Sequence, residues 1–309
     1  MASTPTLSHR AEYVALRAVI RSLEGRPLAD AAAIGGRLGM LGYRPFGIRR
    51  RVVERQVAAA FPALDDASRR RIARGAYENL GRVSAEAPAL ARSGAAGILG
   101  RVSSVQGWEV LEEARALGRG LIVIGGHLGN WELTASYIAA RGIPIDAVTR
   151  RLSNPLVERY VTRMRTQLGM TVVQDTEAVR RCMRTLQGGG SVGFLIDQGV
   201  LNVASTWVPF FGRPAKTPRG PAVFALRFDT PMLFTAILRE PDGSYRLHYE
   251  RVPISPTGDR ERDVDTVVAT YTATLERYVR LSPEQYFWQH RRWKWQPEDT
   301  PAHLRDPSA

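Results

Sequence analysis

Residues 120–142 read GLIVIGGHLGNWELTASYIAARG. A short apolar run bounded by glycines is a buried strand, and the spacing from Trp131 onward is that of a helix. The switch is repeated down the chain. "IPIDAVTR" is strand-like, "NPLVERYVTRMRTQLG" is a helix capped at Asn154, and "MTVVQ" is a short strand. "TEAVRRCMRTLQGGG" is a helix ending in glycines, and "SVGFLIDQG" is again a strand. Strands alternating with helices of this length predict an α/β fold, a single domain with a mostly parallel central sheet flanked by helices. "PMLFTAILRE" and "YRLHYERV", separated by "PDGS", read as a hairpin. A closing helix covers roughly 261–280.

Upstream, the first hundred residues read as helical. Tyr13, Leu16, Val19, Ile20 and Leu23 fall at helical spacing. "FPALDDASRRRIARGAYENLGRV" offers a turn, a cap at Asp66 or Ser68, and a long amphipathic helix. The division expected is a helical N-terminal region over 1–105, an α/β core over 106–300 and a loose C-terminal tail over 301–309. "MASTPTLSH" looks equally loose at the other end.

Composition narrows the function. Among 309 residues, 43 Lys and Arg face 30 Asp and Glu, a net charge of +13. That excess suits an acidic partner such as nucleic acid, an anionic membrane, a phosphorylated substrate or an acidic carrier protein. Much of it sits in "RPFGIRRRVVER" (44–55) and "ASRRRIARG" (67–75), which read equally as solvated helix faces. The one cysteine, Cys182, excludes a disulfide framework. No stretch reaches the ~18 consecutive apolar residues of a spanning helix. "LADAAAIGGRLGMLGY" (28–43) comes closest, broken by Asp30 and Arg37, and suits a membrane surface.

The histidines His9, His127, His248, His290 and His303 form no close metal-ligand spacing, which disfavours a metal hydrolase. "GGSVG" (189–193) matches G-x-S-x-G, but helix precedes it and strand follows, the reverse of a nucleophile elbow. Gly188 to Gly190 read better as a helix C-terminus. No phosphate-binding glycine loop is present.

His127 is left, with Glu132 five positions on, an HX4E motif. On one helix the two would point about 140° apart. They meet only if His127 lies in the turn and Glu132 in the first helical turn. Gly125, Gly126 and Gly129 permit such a turn, and Asn130 is a suitable cap. The pair would then sit at the carboxyl end of a parallel strand, where open α/β sheets place ligands. A carboxylate on one imidazole nitrogen leaves the other free to accept a proton. The plainer alternative is a turn histidine satisfied by backbone, with Glu132 complementing the helix dipole.

Several blocks then follow in one order: "RQVAAAFPAL", the HX4E motif, "TRRLSNPLVERYVTRMR", "GFLIDQG", "VPFFGRPAKTPRGPA" and "YFWQHRRWKWQP". Over nearly its whole length the sequence resembles the lysophospholipid acyltransferase superfamily. Within it the resemblance is to bacterial lipid A lauroyl/myristoyl acyltransferases and phosphatidylinositol mannoside acyltransferases. The resemblance implies transfer of an acyl chain from an acyl carrier protein or coenzyme A thioester to a hydroxyl of a lipid acceptor, with no cofactor. It makes His127 the general base, with Glu132 orienting it.

The resemblance brings in Arg150 and Asp197 as site residues, whose plainer readings are a strand-end arginine and a turn aspartate. Gly212, Arg213, Lys216, Thr217 and Arg219 form a loop suited to a phosphate-bearing head group. In "WQHRRWKWQ", Trp288, Trp293 and Trp295 among cations suit a lipid interface, stacking on single-stranded nucleic acid, or a buried anchor. Lipid A acyltransferases usually begin with a spanning helix, which this sequence lacks. Peripheral attachment to an anionic membrane surface is therefore expected, at the cytoplasmic face of the inner membrane, with no nucleic acid partner. Two other readings stay open: a thioesterase using the same site, and a nonenzymatic basic protein binding nucleic acid or membrane.

Overall fold

A computed structural model describes residues 4–199 and 203–309. Its sheet has seven strands. They are β1 (Val102–Gln106), β2 (Leu121–Gly125), β3 (Ile145–Thr149), β4 (Thr171–Gln174), β5 (Ser191–Leu195), β8 (Met232–Arg239) and β9 (Tyr245–Arg251). The remaining two, β6 (Ser205–Phe210) and β7 (Arg213–Pro218), form a separate antiparallel hairpin. In the large sheet the order is β1-β9-β8-β2-β5-β3-β4, and only the β8–β9 pair is antiparallel. The α/β fold with a mostly parallel sheet is thus present, and the predicted hairpin is β8–β9.

β2 lies at the centre because its side chains are apolar on both faces. Ile122 and Ile124 join one core cluster with Phe234, Leu275 and Trp288. Leu121 and Val123 join the other with Leu111, Leu133 and Ile138. Helices cover both faces: α5 (Trp108–Ala116), α6 (Glu132–Ala140), α7 (Pro155–Gln167), α8 (Ala178–Gln187), α9 (Gly220–Phe228) and α10 (Arg260–Leu281). Asn154 caps α7 as expected, its side chain accepting from the Leu156 and Val157 amides. Gly189, at φ +74°, follows the end of α8, and Ser191 opens β5 with its side chain buried. This order rules out an elbow serine.

The N-terminal helices are α1 (Leu7–Leu23), α2 (Leu28–Tyr43), α3 (Arg50–Ala60) and α4 (Asp66–Leu99), the last broken at Gly94. The glycines of α2 are there for contact with α4. A Cβ at Gly39 would lie 2.2 Å from the Tyr77 carbonyl oxygen, and one at Gly81 would lie 2.1 Å from that of Gly35. One side of 28–43 is therefore packed on protein, which narrows its membrane-surface reading to the other side. Among the described residues no helix is long and apolar enough to cross a membrane.

Four local expectations are corrected. The cap of α4 is Asp65, which accepts from the Ser68 amide. Within "MASTPTLSH", Thr6 caps α1 and Leu7–His9 are its first turn, while residues 1–3 lie outside the described residues. The C-terminal tail is tied down: Arg291 pairs with Asp306, Arg213 donates to the Arg305 carbonyl, and Arg55 reaches Ala309. The cationic loop at 212–219 is largely the strand β7, turned from β6 through Phe211 and Gly212, both at positive φ, as a two-residue hairpin demands.

Candidate active site

Three parallel strands, β2, β5 and β3, lie side by side. His127 follows β2, Asp197 follows β5 and Arg150 follows β3, so all three stand at the carboxyl edge of the sheet, where such folds place ligands. The turn carrying His127 is fixed by close packing. A Cβ at Gly126 would meet Leu275 at 2.5 Å, and one at Gly129 would lie 1.8 Å from the Ile237 carbonyl oxygen. Gly129 also has φ +59°, so no other residue fits there.

Helix α4 and the C-terminal segment clamp the same turn. Asn79 donates to the carbonyls of Gly129 and Gln285 at 2.9 and 3.0 Å. Phe287 N–H donates to the His127 carbonyl at 3.0 Å. Asn130 does not cap α6 with its side chain; its amide donates to Glu86 at 3.0 Å. Glu86 is fully buried and is held by a two-pronged pair with Arg239 at 2.6 and 2.8 Å. The N-terminal region is thus part of the scaffold of the site.

The partner of His127 is Asp197. Its Nδ1 lies 2.7 Å from Asp197 Oδ1, and the His127 backbone N–H donates to Oδ2 at 2.9 Å. A carboxylate there requires Nδ1 to carry the proton, leaving the Nε2 lone pair facing outward. The Gln198 amide nitrogen is 3.3 Å from Nε2. Trp131 and Phe287 flank the ring, with centroids at 5.1 and 5.8 Å.

Burial works to raise the Asp197 carboxyl, but the charge and hydrogen bonds of His127, and then the charge of Arg292, outweigh it and hold it at about 2. Asp197 is therefore ionised at neutral pH. Burial, then the Asp197 charge, pushes the Tyr286 hydroxyl far above its ordinary value. Burial also takes His290 down to about 4, against the pull of Asp197. His290 is neutral at pH 7 and adds no second positive charge beside His127.

Glu132 is placed differently from the expectation. It opens α6 and is buried, but both its oxygens are taken by Arg165 of α7, Nε at 2.9 Å and Nη2 at 2.7 Å. The expected orientation of His127 by Glu132 is corrected: Asp197 holds that nitrogen, and Glu132 holds Arg165. Burial works against the Arg165 charge, and the charge and hydrogen bonding of Glu132 outweigh it. The pair borders a cavity of about 60 Å³ beside Trp131, Ile124, Val148 and Phe194.

The remaining expected residues divide. Arg150 is exposed and, among the described residues, has no ion-pair partner. Arg213 and Lys216 likewise keep unneutralised charges, whereas Arg219 pairs with Glu261 at 2.7 Å. Thr217 is fully buried and accepts from Arg292 at 2.5 Å, while Arg292 also donates to the Lys216 carbonyl at 2.6 Å. Thr217 is a packing residue, and Gly212 shapes a turn. Trp288, Trp293 and Arg292 are buried, so this part of the closing aromatic segment is an internal anchor, while Trp295 is half-buried with the exposed Lys294 over its ring.

Arg165, Gln198, Tyr286, Arg292, Glu86 and Asn79 were not singled out as site residues from the sequence. Glu86 had a local signal, a lone carboxylate within the apolar run Ala85–Leu90 of α4. The others depend on which segments meet.

A histidine held by a buried aspartate at the carboxyl edge of a parallel sheet is an arrangement able to accept a proton from a bound hydroxyl. The sequence matches the profile described as "Bacterial lipid A biosynthesis acyltransferase" over residues 4–295, and the chain belongs to that family. It is 28% identical over 278 residues to the lipid A biosynthesis lauroyltransferase of Escherichia coli (strain K12), covering 87% of each chain. It is also 28% identical over 273 residues to the palmitoleoyltransferase of the same organism, covering 85% of each. The lipid A biosynthesis acyltransferase of Shigella flexneri matches to the same extent. The chain is an acyltransferase.

Proposed function

We propose that the protein moves a fatty acyl chain from a thioester, on acyl carrier protein or coenzyme A, to a hydroxyl of a membrane glycolipid. The observation that carries the chemistry is the 2.7 Å contact between His127 Nδ1 and Asp197. The relatives' names, lauroyltransferase and palmitoleoyltransferase of lipid A biosynthesis, support the acyl group and the acceptor class.

The acceptor hydroxyl takes the place of the Gln198 amide at His127 Nε2. As its oxygen attacks the thioester carbonyl carbon, the proton passes to Nε2, and Asp197 stabilises the imidazolium formed. The tetrahedral oxyanion collapses, the C–S bond breaks, and the leaving sulfur receives the proton from His127. Base catalysis of this kind contributes about 10²–10⁴-fold. Glu132 acts through Arg165, keeping its cation at the apolar cavity, where the start of the acyl chain lies. At about 60 Å³, the space of roughly two waters, that cavity holds only the first part of a chain. Arg150, Arg213 and Lys216 are the free cations that meet an anionic head group.

The test is acyl transfer into a bacterial lipid extract from either thioester, read by mass spectrometry. The expected result is one phosphorylated glycolipid class gaining the mass of one chain. Thiol release without a lipid product would replace this reading with a thioesterase, and no turnover of either donor would reject both.

A further inference from the structure

The N-terminal helices carry an arginine cluster that the site does not use. A groove of about 880 Å³ opens between α2 and α4, with Met40 and Leu41 on one wall and Arg44, Arg70, Arg71 and Arg74 around it. None of these four arginines has a carboxylate partner among the described residues. Of the two carboxylates on the groove, Glu78 is engaged by Arg82 and Glu284 offsets only one of the four arginine charges, so the groove keeps a positive field.

The turn between α2 and α3 adjoins the groove and presents large apolar side chains to solvent. Phe46 is 70% exposed and Ile48 59%, with Leu38 and Leu41 also exposed on α2. The turn is held in shape: Phe46 N–H donates to Leu41, Ile48 N–H donates to Gly42 at 2.7 Å, and Tyr77 donates to the Ile48 carbonyl. Arg49 and Arg51 extend the positive rim, both exposed. A rigid aromatic-aliphatic tip ringed by arginines fits the boundary between lipid head groups and acyl chains. There the apolar groups enter and the guanidinium groups stay with phosphate.

The same face reaches the reaction centre. Glu284 lies on the groove, and the next residue, Gln285, accepts from the Gly129 amide beside His127. We infer that this face is where the protein docks on an anionic bilayer, with Phe46 and Ile48 inserted and lipid phosphates in the arginine groove. The inference deepens the reading of a membrane-lipid acceptor, since it sets one side of the molecule against the membrane that supplies it. An acidic carrier protein would use the same charges but has no need of an exposed Phe–Ile tip.

Co-sedimentation with phosphatidylglycerol and phosphatidylcholine vesicles tests this without any acyl transfer, so failure of the proposed reaction leaves it intact. Wild type is expected to bind the anionic vesicles and not the neutral ones. F46S/I48S and R70Q/R71Q/R74Q, all at exposed positions, are expected to keep the wild-type circular dichroism and each to weaken binding at least about ten-fold. Equal binding to both vesicle types, or wild-type binding by both variants, would overturn the inference. So would an arginine variant that loses acyl carrier protein but keeps the vesicles.

Discussion

Asp197→Asn is expected to lower kcat by about 10³–10⁴-fold while leaving KM for the acceptor within a few-fold. The substitution keeps the shape of the side chain but removes the charge that fixes the His127 proton on Nδ1 and stabilises the imidazolium. The effect belongs to the proton-transfer step, because Asp197 is buried behind the ring and touches His127 from the side away from the reacting face. Steady-state transfer with each donor measures it, and a kcat within ten-fold of wild type would remove Asp197 from the mechanism. A stability effect accompanies it. Because the folded carboxyl is held at about 2, below its unfolded value of ~3.9, its ionised form stabilises the protein above about pH 4. That contribution fades as pH falls from about 4 towards 2, and the asparagine variant should lack this part of the acid slope.

Glu132→Ala is expected to destabilise the fold by about 3–5 kcal/mol, because it leaves the largely enclosed Arg165 guanidinium without its carboxylate. For a chain of this size that is a fall of roughly 5–15 °C in Tm. Glu132→Leu with Arg165→Met removes both charges and should recover most of the stability. The double variant should remain poorly active, because the cation beside the apolar cavity is gone with its partner. Thermal unfolding of both variants decides the matter. A Glu132→Ala protein as stable as wild type would mean that the Glu132–Arg165 pair does not support the fold. A double variant with full activity would show that this cation has no part in transfer.

The strands and helices around the site were legible because each carries its own periodic signal. The run Leu121–Ile124 is buried on both faces, and Asn154 caps the helix it precedes. The position of His127 at a strand end was legible for the same reason. Its partner was not readable from spacing alone. Glu132 is five residues from His127 and Asp197 seventy, so local spacing favours the glutamate. The choice is made by the β2–β5 pairing, which sets Gly125 against Leu195 and brings the two following turns together. Arg165 then meets Glu132 from α7, a contact that no periodicity encodes. The closing segment misleads in the other direction. Tryptophans among arginines have the composition of an interface, yet Trp288 and Trp293 are buried and Arg292 spends its donors on Lys216 and Thr217.

In the proposed reaction the Nε2 lone pair of His127 takes the acceptor proton. Single-turnover acyl transfer to the lipid acceptor, comparing wild type with His127→Ala at equal folded concentration, tests it most directly. The variant is expected to bind acceptor and thioester but to form lipid product about 10²–10⁴-fold more slowly. Product formation by His127→Ala at the wild-type rate would contradict it.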